Sequence, residues 1–132
     1  MTDLLTATQD AFYAALVTGM GEDYGAILQH VPEGTAPPLT VVGRIEATNI
    51  DGKCQGVEQH TVEVVYTYRG AARRQLYAMM NAGRDAIENG PLAADGALFG
   101  LPVWQSSETD VWEDAVTYQG VQTFDVIVQA AD

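Results

Sequence analysis

Two histidines, one cysteine and eighteen carboxylates are the side chains of this 132-residue chain that could move protons, attack a carbon or hold a metal. His60 lies two residues from Glu58, a spacing that puts both on one face of a strand. Such a pair could begin a general-base site. No motif places a serine or cysteine nucleophile against it, so His60 reads as a partly buried or edge histidine. The alternative stays open: a small α+β enzyme or ligand-binding module using His60 and Glu58 in a pocket between sheet and helix. His30 stands alone near a turn. Cys54, the sole cysteine, has no disulfide partner in the chain and no neighbouring base, and reads as a free thiol on a polar, glycine-flanked loop. Glu108, Asp110, Glu113 and Asp114 set four acids within seven residues. They could hold a calcium ion, but they lack the EF-hand spacing and read as solvated loop acids. Gly19, Gly21 and Gly25 have no following Lys-Ser or Lys-Thr, and the adjacent acids repel phosphate. From the residues alone there is no catalytic set, no metal site and no cofactor site.

The bulk composition sets further bounds. The length suits one domain, 1–132, with enough chain for an ordinary core. No apolar stretch approaches a membrane span, and Met1-Thr2-Asp3 opens without the basic region of a secretory signal. The net charge of −12, with six basic residues, disfavours binding to phosphate backbones. Four of those six, Arg69, Arg73, Arg74 and Arg84, fall within one strand-to-helix unit, leaving Arg44 and Lys53 elsewhere. One positive patch on an acidic body suits docking to another acidic surface, such as a second copy. The plainer alternative is that these arginines solvate an exposed helix face.

The elements that must position these residues follow from periodicity. Val62, Val64, Tyr66 and Tyr68 alternate with Thr61, Glu63, Val65 and Thr67, which predicts a half-buried strand. Leu76, Met79, Met80, Gly83 and Ile87 then recur at helical spacing, and Asn89 or Gly90 is expected as a left-handed cap before Pro91. Ahead of this unit, Leu4–Thr18 reads as a helix capped by Thr2 or Asp3 and stopped by Gly19. Ile27–His30 is a short strand. Leu39–Thr48 is a longer one, with Leu39, Val41, Ile45 and Ala47 on one side. Asn49–Gly56 forms a projecting hairpin connection, a candidate for contact with a partner. After the second helix, Leu92–Gly100 is a connection and Leu101–Thr109 a strand with Pro102 at its edge. Asp110–Ala115 is an acidic turn carrying Trp112, with Trp104 ahead of it. Tyr118–Gln129 is the closing strand, with Gly120 marking a bulge. The expected fold is α+β: a mainly antiparallel sheet of four to five strands with two helices packed on one face.

Several stretches carry a resemblance to a known family. They are Phe12-Tyr13-Ala14-Ala15-Leu16 in the first helix, Val31-Pro32-Glu33-Gly34, and Pro37-Pro38-Leu39 leading into a strand. Glu113-Asp114 and Tyr118-Gln119-Gly120-Val121 before the last strand complete the set. Over nearly its whole length the chain resembles the tail-completion, or tail terminator, proteins of long-tailed bacteriophages and related gene transfer agents. It departs at Tyr68-Arg69-Gly70, where the family often has a tryptophan-serine-type pair before the helix.

The resemblance implies a structural virion protein and no enzyme. It implies a hexameric ring at the tail-neck junction that ends tube polymerisation, made in the host bacterial cytoplasm. The implied partners are further copies of the chain, the tail tube protein and a head connector or neck protein, with DNA passing through the lumen without specific binding and no membrane involved. Another neck protein, a head-closure or adaptor component, is the near alternative. The residues expected at subunit or partner contacts are Ile50, Asp51, Gly52 and Lys53 in the hairpin loop, and Arg69, Arg73 and Arg74 in the basic patch.

Overall fold

The computed structural model describes residues 3–50 and 56–131. Helix α1 (Leu4–Met20) leads to strands β1 (Ala26–Leu28), β2 (Leu39–Asn49) and β3 (Val57–Arg69). Helix α2 (Arg74–Asn89) follows, then β4 (Ala97–Phe99), β5 (Val103–Val111) and β6 (Thr117–Ala130). The strands form one six-stranded sheet in the order β1-β2-β3-β6-β4, with β5 also on β6. The β2–β3, β3–β6, β4–β6 and β5–β6 ladders are antiparallel, whereas β1 runs parallel to β2. The fold is thus α+β as expected, but the sheet is mixed and has one strand more than expected. The extra strand is β4, three residues hidden in the small-residue stretch before Gly100.

Helix α1 starts where a short acid can take up its orphan amides. Asp3 Oδ1 accepts from the Thr6 backbone N–H at 3.0 Å, and Oδ2 accepts from the Thr6 hydroxyl at 2.6 Å. These bonds, the hydroxyl first, hold the Asp3 carboxyl below the usual carboxylate range. Leu4, Ala7, Ala11, Phe12, Ala15 and Leu16 form the buried stripe. Gly19 does not stop the helix. It lies within the last turn, and Ala86 of α2 sits where its Cβ would be, so Gly19 is what lets the two helices touch. The helix ends instead at Gly21, whose φ of 67° favours glycine.

Helix α2 buries Leu76, Met79, Met80, Gly83 and Ile87, the stripe read from spacing. Its N-cap is Arg73, with no side-chain cap bond. At the other end Gly90 caps in extended geometry, φ −88°, not in the left-handed form; Pro91 behind it is sufficient to end the helix.

The core lies between the helices and one sheet face. Val62, Val64 and Tyr66 of β3, with Phe124, Val126 and Val128 of β6, pack on Phe12, Leu16, Leu76 and Ile87. Phe12 and Phe124 meet ring to ring at 6.1 Å. Strand β2 departs from its simple alternation. Thr40 and Val42, opposite Tyr66 and Val64, face the core, and an irregularity between Val42 and Ile45 then brings Ile45 to the same face opposite Val62. Val41 therefore faces away. The β6 register runs unbroken through Gly120, so no bulge lies there. Met80 Sδ fills the place of a Gly120 side chain. The closing ladder's irregularity is at Trp104/Ser106 instead.

Candidate functional site

The one hydroxyl–imidazole–carboxylate chain that the fold brings together, among the described residues, is Thr8, His60 and Glu58. Thr8 Oγ1 lies 2.7 Å from His60 Nδ1, and His60 Nε2 lies 2.7 Å from Glu58 Oε1. With a neutral imidazole, Nε2–H donates to the Glu58 carboxylate and Nδ1 accepts from the Thr8 hydroxyl. The sequence pattern paired His60 with Glu58 and missed Thr8, which is 52 residues away on α1. It also read His60 as partly buried or at an edge, whereas Thr8 and His60 are both 0% exposed.

That burial decides what the relay can do. A hydroxyl nucleophile must reach a substrate, and this one is enclosed. The cavity of ≈ 490 Å³ between α1 and α2 is lined by Ala11, Ala15, Gly19, Asp85, Ala86 and Asn89, among others, but by none of the three relay residues. The arrangement ties α1 to β3 by satisfying polar groups that would otherwise be buried without partners. A second closed network does the same for α2. The Tyr66 hydroxyl donates to Gln122 Oε1 at 2.7 Å, and Gln122 Nε2 donates to the Met80 carbonyl at 3.0 Å. The Tyr66 hydroxyl occupies the space of a missing Gly83 side chain. Burial pushes the Tyr66 phenol well above its ordinary range, so it stays a donor.

The residues expected at contacts separate into two groups. Asp51, Gly52 and Lys53 lie outside the described residues, as does Cys54. Ile50, 45% exposed, follows the end of β2, where Asn49 pairs with Glu58 near the start of β3. Arg69, Arg73 and Arg74 lie at the far end of β3 and the start of α2. Twelve steps along β3 separate the Ile50 end of the sheet from Arg69, about 40 Å at strand rise. Ile50 and the arginines do not form one patch.

The arginines are also partly engaged. Arg69 Nε donates to Thr117 Oγ1 at 3.0 Å, and that hydroxyl donates to Asp114 Oδ2 at 2.6 Å. Asp114 further accepts the Val116 and Thr117 backbone N–H groups. The Thr117 hydroxyl first, then these amides and the nearby Arg69 charge, hold its carboxyl below the ordinary range. Arg73 lies 5.3 Å from the Tyr118 ring centre. Arg84 belongs elsewhere, 4.1 Å above the Trp104 ring and 3.1 Å from Glu88. Arg74 is exposed and makes no ion pair among the described residues. The basic patch and Asp114 thus share one end of the sheet, and the expected segregation of charge does not hold there.

The acidic cluster is likewise divided. Glu108 and Asp110 lie in β5, not in a loop, opposite Val121 and Gln119. With Glu46, Glu63 and Asp125 they lie on the helix-free face of the sheet, against Arg44 and Arg69. Among the described residues no three of His, Cys, Asp or Glu are placed to hold a metal ion.

Residues 5–129 match the model of the family described as tail completion protein gp17. The chain therefore belongs to that family, whose role is structural, in the tail of a virion. A comparison with curated proteins gives no match. Among solved structures the fold is similar to a chain described as part of the virion of a native gene transfer agent particle. The TM-score is 0.80 at 16% identity, over 98% of this chain and 100% of that one.

Proposed function

We propose that this member of the tail completion family caps the head-proximal end of a tail tube as a ring, ending tube growth and presenting a surface to a head connector or neck protein. The observation that carries this reading is the family match across nearly the whole chain. The interior agrees with it. Among the described residues the one hydroxyl–imidazole–carboxylate chain has its Thr8 hydroxyl and His60 ring fully buried, with only Glu58 partly exposed, which speaks against the competing enzyme reading.

The helix-free sheet face suits the wall of a lumen. It is wide, continuous and dominated by Glu46, Glu63, Glu108, Asp110 and Asp125. Such a wall repels phosphates, so DNA slides past without binding. A ring image with the two helices, and not this sheet face, turned to the pore would remove this feature. The stoichiometry proposed is six, as the family resemblance implies, and the site of action is the tail-neck junction.

The test is direct. Purified protein is added to growing tubes of the cognate tail tube protein, and tube lengths and ends are followed by negative-stain microscopy. The expected result is a ring at one end and arrested growth. Tubes that elongate unhindered with bare ends would contradict the proposal.

A further inference from the structure

The sheet has two open edges, and they differ. On one side β5 lies on β6 with no strand beyond it among the described residues, exposed along most of its nine-residue length and with no proline or lysine inside it. On the other side β1 covers only Leu39–Val41, leaving β2 from Val42 to Thr48 without an outer strand among the described residues. An exposed strand edge is a row of unpaired amides and carbonyls, a template for another strand.

We propose that the β5 edge of one copy adds to the open half of β2 in the next, so that the six-stranded sheets continue from subunit to subunit. This rests on the ring reading above and names the contact that closes the ring. Strand polarity permits it. Strand β2 is antiparallel to β3, β3 to β6 and β6 to β5, so β5 runs antiparallel to β2. Rotation about an axis along the strands keeps each direction, so the new ladder is antiparallel. Two different edges make a heterologous contact, the kind that generates rings.

Charge excludes the self-complementary alternative. Pairing β5 with another β5 brings Glu108 and Asp110 against their own copies, which is unfavourable across a strand pair. The β2 edge offers a cation instead. The Arg44 side chain, 69% exposed, holds Glu46 at 2.8 Å. It shares the helix-free face with Glu108, since Glu46 is opposite Thr61 and Glu108 opposite Val121. Val42, Val64, Gln122 and Ser107 form one row across the sheet, which sets Arg44 close to the level of Glu108. To clear β1, the incoming β5 slides along β2, a stagger that barrel closure requires anyway. The slide brings Arg44 alongside the Glu108–Asp110 stretch. An apolar lip lies along the same side of the sheet: Leu101 is 85% exposed, Leu98 58% and Val103 55%. The contact removes part of it from water.

The test compares amide hydrogen exchange in the free subunit and in rings on tube ends, alongside charge reversal. Protection is expected to rise over 103–111 and 42–48. Glu108→Lys is expected to weaken capping about tenfold or more, the scale of one charge reversed at an interface, and Arg44→Glu added to it is expected to restore capping. Rings that form with new protection confined to other segments, or a double variant no better than Glu108→Lys, would overturn this contact while leaving the capping function intact. Failure of the unaltered protein to form any ring on a tube would overturn both.

Discussion

Along β3 and β6 thirteen residue pairs run without a break, and the side chains they turn inward are closed off by two helices. Along β5 almost every residue is exposed, and its outer edge has no strand partner among the described residues. The contrast separates two uses of the same side-chain chemistry. In the interior a histidine, a threonine, a tyrosine and a glutamine spend their hydrogen bonds on each other, on the Glu58 carboxylate and on the backbone, which fixes where the helices sit. At the rim, carboxylates, Arg44 and bare backbone groups remain available to a partner. In this member of a virion tail family the residues that look catalytic are tied into the interior, and in the contact proposed above the plain ones would do the recognising.

Variants can break this contrast in order of expected effect. Phe124→Ala removes a fully buried ring and should cost about 3–5 kcal/mol of folding stability. Urea denaturation reads it, and a loss under 1 kcal/mol would mean that the interior is not packed as described. Gly83→Ala places a methyl where the Tyr66 hydroxyl lies, an overpacking expected to cost about 1–3 kcal/mol. Coupling of that loss to Tyr66→Phe in a double-mutant cycle checks the cause.

His60→Ala leaves the Thr8 hydroxyl buried without a partner, at about 1–3 kcal/mol, yet the folded fraction should still cap tubes. Loss of capping at unchanged stability would instead restore the site reading of His60. Glu108→Lys sharpens the other side of the contrast. It should shift folding stability by no more than about 0.5 kcal/mol, as exposed substitutions do, while weakening assembly.

The smallest effect concerns pH. Hydrogen bonds from Thr6 and Thr117 hold the Asp3 and Asp114 carboxyls below the ordinary aspartate value of 3.8, so their ionised forms favour the folded state. Their contribution is present above that value and is lost as pH falls through the lowered folded range. Replacing Asp114 by Ala should flatten the acid limb of the stability curve and leave the rest of its shape unchanged. An unaltered acid limb would show that the Thr117 bonds do not persist in solution.

Much of the interior was legible because it is periodic. The α2 stripe, the inward face of β3 and the closing strand each follow from spacing alone. What escaped the sequence was set by contacts between distant segments. Thr8 is an ordinary helical threonine until α1 is laid on His60. Gly19 resembles a helix stop until Ala86 is placed against it. Thr40 and Val42 take the core side because an irregularity after Val42 changes the alternation, and no residue type announces that shift. The rim was less legible: the strand over Leu101–Thr109 follows from the sequence, but its last residues, Asp110 and Val111, read as turn because the acids there outweigh any apolar period. The basic patch was found by counting, but its closeness to Asp114 comes from the pairing of β3 with β6.

The measurement that tests the division between interior and rim most directly is the tube-length distribution with unaltered protein, His60→Gln and Glu108→Lys at equal folded concentration. The account predicts short, capped tubes with the first two and long, uncapped tubes with Glu108→Lys. Capping by Glu108→Lys together with its loss in folded His60→Gln would contradict it.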